Sequence, residues 1–484
     1  MSKRYMYASL IGMVILLSAS PLFAQPPDTL WTKTYGGAME DTAYSVCPTS
    51  DGGYIIAGVT NSMGAGDWDG YLVKTDSAGN VEWEQTYGTA RANGFYDVLE
   101  TSDGEYIASG WTTTLFPFSN TDFWLIRVDS SGVTVWEQIY GGEDHDTGFT
   151  MVPALDGNYL VVGYTWSFGT GGSADAWVLK FDPATGDIPW LLGKKYDPGR
   201  PEYSGELFFS GCQTSDESYL FVGCSGITPP ENWDVYVVKT DSAGEVIWDQ
   251  LYEWGSFDRG HSACQTPDGG YLVIGTANPT GHSDVLILKL DEAGDTVWTK
   301  FYGGEGDDKG YGICPSGDSM YLISARTSSF GAGGYDLWVL AIDTLGDTLC
   351  TQTYGAEADE WCYFPKMNPN GNFMLPGFTS SWGEGGADFW LLEYGYEKEP
   401  GVAEQLIESP IRITTTINRL AYDLPGQASL TLYSADGRRV LTETIQGQGT
   451  WTPSSQPSSL PSGVYFARVT TEGYSARTKV VVLR

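Results

Sequence analysis

Two short acidic runs carry residue types that could bind a metal ion. Asp144 and Asp146 lie in an EDHD run, and Asp307 and Asp308 lie in an EGDD run. Clustered carboxylates and backbone carbonyls suit a hard cation such as calcium. No EF-hand spacing accompanies them, and fixing the surrounding loops is the alternative role. The sequence predicts no cofactor, with calcium at these four carboxylates as the one candidate.

A second set of side chains could bind a ligand without catalysis. The chain is repetitive, and a repeat protein needs its packing residues in every repeat but a ligand site only once. Exposed aromatic residues beside polar groups suit sugar stacking or a protein partner. The residues that break the repeat pattern all fall in its second to fourth units, and they are Trp111, Phe116, Phe118, Trp166, Arg200 and Tyr203.

Catalytic constellations are weak in this sequence. It has three histidines, and none shows metal-ligand spacing. The Gly260–Cys264 segment, GHSAC, resembles a nucleophile elbow but lacks the final glycine. Arg91, Arg200 and Arg259 share one type of loop, but a sialidase-like arginine cluster is the weaker interpretation. The sequence predicts no catalytic residue and a protein that is not an enzyme.

The charge balance excludes two classes of partner. The chain carries 61 acidic and 26 basic residues, for a formal net charge of −35. Such a surface repels phosphate backbones and anionic lipids. We therefore expect no nucleic acid partner, and no segment after the N-terminus is apolar over a membrane-spanning length. Divalent cations or neutral glycans fit this balance better, and a glycan or a surface protein is the candidate partner.

These candidate residues belong to a repeat of about 50 residues with four strands, a to d. In the first copy, strand a runs from Tyr44 to Thr49, and strand d ends at Tyr87. A tryptophan four residues before a tyrosine marks most d strands, as in Trp83 and Tyr87. Strand c is apolar throughout, which predicts burial on both faces. Six residues after each strand-d tyrosine stands an acid or amide, namely Asp41, Asn93, Asp146, Glu202, Asp258, Asp308 and Glu360.

The order of the strands predicts how the repeats close. There are seven a-b-c sets, but the first d strand, Thr29 to Tyr35, precedes all of them. The last set, ending near Leu392, has no d strand after it, so the N-terminal strand can fill that place and remove the open sheet ends. We predict an all-β protein: a seven-bladed β-propeller over 26–395, closed by its N-terminal strand and followed by a small immunoglobulin-like β-sandwich.

The repeats resemble a β-propeller family found in exported bacterial proteins. The pattern is shown by Tyr302-Gly303-Gly304, Asp268-Gly269-Gly270-Tyr271, Asp284 and Asp291-Glu292-Ala293-Gly294, and it covers about residues 28–395. The resemblance is specific for the fold and does not indicate a ligand.

The N-terminus and the cysteines are consistent with export. Residues 1–24 read as a signal peptide, with Lys3 and Arg4 before an apolar run and small residues up to Ala24. Seven cysteines is an odd number, and four of them fill one recurring apolar slot. Buried free thiols are therefore the expectation, and Cys212 with Cys224 is the pair to examine for a disulfide.

After a linker at 396–408, the segment 409–484 loses the acidic loops and gains Thr, Ser and Val. It resembles the type IX secretion (type A) sorting domain, and the carrying residues are Leu424-Pro425, Leu432-Tyr433, Asp436-Gly437-Arg438, Leu460–Tyr465 and Lys479–Arg484. The family opens with Asn-Pro, whereas Ser409-Pro410 stands here. The resemblance implies interaction with the type IX secretion machinery and a secreted or outer-membrane-surface location.

Together these features predict a secreted or cell-surface propeller that acts as a non-catalytic binding or adhesion module. A hydrolase of extracellular polysaccharide and a structural surface-layer component are the alternatives.

Overall fold

The structure is a computed structural model. It describes residues 28–113, 120–169, 173–190, 193–199, 205–227, 232–279, 281–317, 320–395, 412–416, 419–434, 439–452, 463–471 and 474–482. The signal peptide and the linker predicted above lie outside these ranges. The chain divides into two compact units, Met1–Glu397 and Lys398–Arg484.

The first unit contains the strands of seven blades, each an antiparallel sheet. The N-terminal strand is β1 (Asp28–Tyr35). Blade 1 consists of β2 (Asp41–Pro48), β3 (Tyr54–Thr60), β4 (Asp69–Thr75) and β5 (Val81–Tyr87). Blade 2 consists of β6 (Asn93–Glu100), β7 (Tyr106–Thr113), β8 (Thr121–Val128) and β9 (Thr134–Tyr140). Blade 3 consists of β10 (Asp146–Pro153), β11 (Tyr159–Thr165), β12 (Asp175–Phe181) and β13 (Lys194–Tyr196).

The remaining blades repeat this order. The strands of blades 4 to 7 are β14 (Gly205–Gln213), β15 (Tyr219–Ile227), β16 (Asn232–Thr240) and β17 (Val246–Tyr252); β18 (Arg259–Gln265), β19 (Tyr271–Ala277), β20 (Asp284–Leu290) and β21 (Thr296–Tyr302); β22 (Asp308–Ser316), β23 (Met320–Thr327), β24 (Asp336–Asp343) and β25 (Thr348–Tyr354); β26 (Glu360–Cys362), β27 (Lys366–Met367), β28 (Phe373–Thr379) and β29 (Asp388–Gly395). In blade 7, strand a is split into β26 and β27, and both pair with β28.

The ring closes through the N-terminal strand. β1 pairs antiparallel with β29, with Thr34 opposite Trp390 and Tyr35 opposite Phe389. It is thus the fourth strand of blade 7, which confirms the predicted closure and the count of seven blades. Strand a begins at Asp41 rather than at Tyr44, because the backbone of Asp41 already pairs with Thr60.

Burial follows the position of a strand in its blade. All seven residues of β4, β12 and β20 are buried, whereas β5 and β17 are mostly exposed. The c strands are covered by the blades on both sides, so their apolar residues need no alternation. The repeat pattern predicted this contrast between strands c and d correctly.

The recurring tryptophan and tyrosine of strand d join neighbouring blades. Gly79, in the turn between strands c and d of blade 1, has a φ of +73°, and a Cβ there would lie 2.9 Å from the Trp31 ring. The Tyr35 hydroxyl donates to the Gly79 carbonyl oxygen at 2.8 Å. Tyr87 repeats this bond to Gly132 at 2.6 Å, and Tyr252 repeats it to Gly294 at 2.5 Å. Because the turn glycine has no Cβ, it leaves room for the indole ring, and its carbonyl oxygen accepts a hydrogen bond from the tyrosine hydroxyl.

A buried cation near the end of strand c recurs in blades 1 to 5. Each one pairs with an aspartate of the turn between strands a and b, and the pairs are Lys74–Asp51, Arg127–Asp103, Lys180–Asp156, Lys239–Asp216 and Lys289–Asp268, at 2.5–2.8 Å. A buried charge is costly unless it is paired. These five cations are structural, which sets them apart from the basic residues described below.

The second unit is also made of strands. They are β30 (Arg412–Thr416), β31 (Arg419–Ser434), β32 (Arg439–Trp451), β33 (Gly463–Thr471) and β34 (Tyr474–Val482). The sheet order is β30-β31-β33-β34, and β32 also pairs with β31. Leu430, Leu432 and Ile445 are buried. Within the described ranges, no helix reaches the length and hydropathy that a membrane-spanning segment requires.

Candidate binding site in the central channel

Strand a lines the channel at the centre of the propeller, and a β-bulge decides which side chain enters it. In blade 1 the pairing of β2 with β3 shifts register between Ala43 and Ser45, which leaves Tyr44 without a partner. The same shift leaves one residue unpaired in each of the blades 2 to 6. In blade 7, Tyr363 stands at the break between β26 and β27, where its backbone N–H still donates to the Pro376 carbonyl oxygen at 2.8 Å. A bulge re-aims a side chain without disturbing the strand on either side.

The six bulge residues and Tyr363 form a closed circle that we call the aromatic ring. Its members are Tyr44, Tyr96, Phe149, Phe209, His261, Tyr311 and Tyr363, and successive ring centroids are 4.7–5.5 Å apart. Together with Phe364 they line a cavity of 190 Å³, which we call the aromatic cavity. Each blade contributes one member, so this surface exists only because the propeller closes.

A second cavity, of 480 Å³, opens beside the ring over blades 5 and 6, and we call it the basic pocket. It is lined by Phe257, Arg259, His261, Thr276, Asn278, Ser283, Lys309, Tyr311 and Arg326. Lys309 and Arg326 are direct cross-strand partners on β22 and β23 of blade 6. Arg259 is the first residue of β18 in the neighbouring blade 5. His261 and Tyr311 line both cavities.

The three cations of the basic pocket form no close ion pair with a described residue, although the carboxylate of Asp307 acts on Lys309 from a longer distance. Among the residues that the structure describes, none forms an ion pair with Arg259, Lys309 or Arg326 within 4.0 Å. The Nε atoms of Arg259 and Arg326 are buried, and no hydrogen-bond partner for them is described. Burial, followed by repulsion from Arg326, lowers the pKa of Lys309. Such an arrangement costs free energy that a bound anion would recover.

Aromatic side chains hold the two guanidinium groups in place. Arg326 lies 4.3 Å from the ring centroids of both Tyr335 and Trp361. Arg259 lies 5.5 Å from the Trp233 centroid and 5.7 Å from that of Phe257. Stacking on an aromatic face fixes the plane of the guanidinium and leaves its edge free to donate hydrogen bonds. The pocket is thus organised before any ligand arrives.

His261 is a neutral member of the ring. Burial, followed by the positive charge of Arg259, lowers its pKa to about 4. Its Nδ1 lies 2.7 Å from the carbonyl oxygen of Gly310, so the neutral tautomer with the proton on Nδ1 satisfies that contact. His261 therefore contributes an uncharged ring to both cavities above pH 5.

The predicted site over blades 2 to 4 is only partly described. Phe116, Phe118, Arg200 and Tyr203 lie outside the described residues. Trp111 is half-buried on β7, where it lies opposite Gly94 of β6. Trp166 is 45% exposed on the loop after β11, and its backbone N–H donates to the His145 carbonyl oxygen. No described contact joins Trp111 to Trp166.

The four carboxylates considered for calcium are engaged differently. Asp146 and Asp308 are fully buried, and each accepts a backbone N–H and a serine hydroxyl through Oδ2. Asp144 is exposed, and Asp307 accepts the backbone N–H of Ser283. Within the described ranges, no group of three or more acidic, histidine or cysteine residues could hold a metal ion. Calcium at these positions stays a prediction.

The cysteines are free thiols. All seven are reduced, including Cys212 and Cys224, whose partners across β14 and β15 are Leu220 and Leu207. Cys212, Cys264 and Cys314 line a further cavity of 400 Å³ in the channel, on the side of the a–b turns. The recurring apolar slot read from the sequence is therefore a position on the channel wall.

The aromatic ring and the basic pocket were not predicted from the sequence. The sequence does contain a signal for the ring positions. Each ring member stands three residues after the buried acid or amide at the start of strand a. In blade 4 that acid is Glu206 rather than Glu202, since Glu206 pairs with Ser225 and its backbone N–H donates to Ala174. The insertion in blade 4 lengthens the spacing between the strand-d tyrosine and this acid, so the spacing of the other blades does not locate Phe209.

Comparison with known proteins identifies the C-terminal segment. Residues 410–483 match the family model described as the secretion system C-terminal sorting domain. This confirms the resemblance that the sequence motifs carried. No curated protein matches the chain.

Solved structures with similarity to the chain have low sequence identity. PorZ, a bacterial surface component of the type IX secretion system of Porphyromonas gingivalis, is 11% identical with a TM-score of 0.36. The match covers 88% of this chain and 65% of PorZ, so the chain spans less than two thirds of that protein.

Two eukaryotic structures match similarly. Sqt1 from Chaetomium thermophilum is 12% identical with a TM-score of 0.42, covering 72% of this chain and 82% of Sqt1. The Pan2 WD40 domain of Neurospora crassa is 12% identical with a TM-score of 0.43, covering 77% of this chain and 96% of that domain. The closed ring and the C-terminal match together define the molecule: it is a seven-bladed β-propeller that carries a secretion system C-terminal sorting domain and is exported to the cell surface or the extracellular space.

Proposed function

We propose that the exported propeller is a non-catalytic binding module and that its ligand is an anion held in the basic pocket. The observation that carries this proposal is the cluster of Arg259, Lys309 and Arg326, which form no close ion pair with a described residue although the chain has a net charge of −35. Elsewhere in the propeller, the buried cations of strand c are each paired with a carboxylate. An anion would give the cluster the partner that those cations already have.

The overall charge of the protein bears on which anions can reach this pocket. The acidic surface repels anions at long range, but at about 0.15 M salt the Debye length is about 8 Å. Charges farther away than this are largely screened, so the three cations set the potential inside the pocket. Binding is therefore expected at physiological ionic strength and is expected to weaken in very dilute buffer.

A screen of the full chain against paired anionic and neutral glycans tests this proposal. Glycans are the appropriate probes because the pocket also offers neutral donors and acceptors in Thr276, Asn278 and Ser283. We expect anionic members to bind and their neutral counterparts not to bind. Arg326→Gln and Arg259→Gln should each weaken binding at least about tenfold, since charge-assisted hydrogen bonds contribute about 1.5–3 kcal/mol.

Lys300→Gln is the matched control. It also removes one positive charge, but Lys300 lies on the outer strand β21 and pairs with Asp347 at 2.7 Å. Its binding should equal that of the unaltered chain. Equal loss of binding in the Lys300 and Arg326 variants, or no preference for anionic probes, would reject the basic pocket as the site.

A further inference from the structure

We propose that the ligand of the basic pocket is an aromatic acid, whose carboxylate lies among the three cations and whose single ring enters the aromatic cavity. This inference rests on the proposed function and names the class of anion that it binds. It follows from the adjacency of the two cavities, because His261 and Tyr311 line both and the Arg326 guanidinium lies 5.9 Å from the Tyr311 ring centroid. One molecule can therefore contact both.

The volume of the aromatic cavity fits one six-membered ring. It measures 190 Å³, and an apolar cavity of about 150 Å³ is large enough to hold benzene. A single ring therefore fits. The cavity thus suits an apolar group of about the size of a phenyl ring.

The lining of the cavity favours an aromatic group over a sugar. Every lining residue carries a ring: four tyrosines, three phenylalanines and the neutral His261. A sugar placed there would lose hydrogen bonds from its hydroxyl groups to water, which is costly without replacements. An aromatic ring loses none and gains offset or edge-to-face contacts with the surrounding rings.

The neighbouring charges exclude the other common ligand of aromatic cages. A ring of aromatic side chains also attracts quaternary ammonium groups through cation–π interactions. Here Arg259, Lys309 and Arg326 line the adjoining basic pocket, and Arg326 lies 5.9 Å from the Tyr311 ring centroid, so these charges repel a cation. An anionic head with an uncharged ring meets both the electrostatic and the apolar requirement.

Calorimetric titration of the full chain with four probes tests this inference. Benzoate has both charge and ring, acetate has the charge alone, benzyl alcohol has the ring alone, and glucuronate has the charge on a polar ring. We expect benzoate to bind at least tenfold more tightly than acetate or glucuronate, which is about 1.4 kcal/mol. Benzyl alcohol should bind more weakly than benzoate.

Two kinds of variant distinguish binding of the carboxylate in the basic pocket from binding of the ring in the aromatic cavity. Phe149 lies in blade 3, outside the basic pocket, and Phe149→Ala should lower benzoate affinity towards that of acetate without changing acetate binding. Phe149→Leu keeps more of the packing and should give a smaller loss in the same direction. Arg326→Gln should weaken benzoate and acetate alike.

The outcomes distinguish this inference from the proposed function. If glucuronate binds as tightly as benzoate, or if both Phe149 variants bind benzoate normally, the aromatic acid is wrong and the anion site stands. If neither benzoate nor acetate nor glucuronate binds at millimolar concentration, both proposals fail.

Discussion

The indole N–H of Trp390 donates to the hydroxyl oxygen of Thr32 at 2.5 Å, although the two residues are 358 positions apart. This bond lies within the pairing of β1 with β29, which closes the propeller. We predict that a chain starting at Gly36 will unfold at a markedly lower temperature and aggregate, because it exposes the edge of β29. Thermal denaturation with light scattering measures both effects.

The control for this truncation is a chain starting at Asp28, which keeps β1 whole. Its melting temperature should match that of the full chain. If the chain starting at Gly36 were equally stable, β1 would not be needed for closure.

The bonds between neighbouring blades can be tested one at a time. Tyr87→Phe removes the hydrogen bond to Gly132 and leaves a buried carbonyl oxygen without its partner. We expect a loss of about 1 kcal/mol in the free energy of unfolding. Tyr252→Phe removes the equivalent bond to Gly294 and should cost the same. Since the two sites are in different blades, chemical denaturation of the double variant should show additive losses.

Glu206 should make the propeller less stable as the pH rises from about 4.5 to 7. Burial, with hydrogen bonding from Ser225 only partly offsetting it, raises its pKa from 4.5 to about 7. The folded state therefore favours the protonated acid, and stability is lost as pH rises through this window. Glu206→Gln should flatten that dependence and raise the melting temperature at pH 8.

Blade 2 supplies a natural precedent for this substitution. Asn93 occupies the equivalent position, and its side-chain oxygen accepts the Thr112 hydroxyl at 2.6 Å. A neutral amide therefore fits the site. A Glu206→Gln variant that is less stable than the unaltered chain at both pH 5 and pH 8 would contradict the assignment.

His261 should destabilise the propeller in acid. Its pKa of about 4 in the fold lies below the usual 6.5, so stability is lost as pH falls from about 6.5 to 4. His261→Phe removes this titration but also the contact with Gly310. We expect the variant to be slightly less stable at pH 8 and to gain relative to the unaltered chain at pH 4.5. Phe149 and Phe209 already occupy the same position in blades 3 and 4, so the ring tolerates phenylalanine.

The sequence was sufficient to predict the architecture because the packing residues recur. Trp83 and Tyr87 repeat with the turn glycine that receives them, and the displaced first d strand indicates closure. The channel was not predicted, because its residues change type between blades. Tyr44, Phe149 and His261 share only a position on a bulge, and a bulge interrupts the alternation by which strand faces are read.

The basic pocket was hidden for a different reason. Lys309 and Arg326 come together only through the register of β22 with β23, and Arg259 joins them from the next blade. Spacing along the chain does not reveal such a grouping, because it depends on how two sheets stand around the channel. The sequence instead indicated loop aromatics such as Trp166, which can be recognised without knowing how the strands pair.

The bulge on strand a has a consequence for how this channel can diverge. In blades 1 to 6 its residue has no partner in the strand register, so exchanging it leaves the strand pairing intact and changes only the contacts that the side chain makes around the channel. Seven single codons, one in each blade, can therefore reshape the channel while the scaffold keeps folding. Related chains with the same repeats are free to acquire different specificities by substitution at these positions alone.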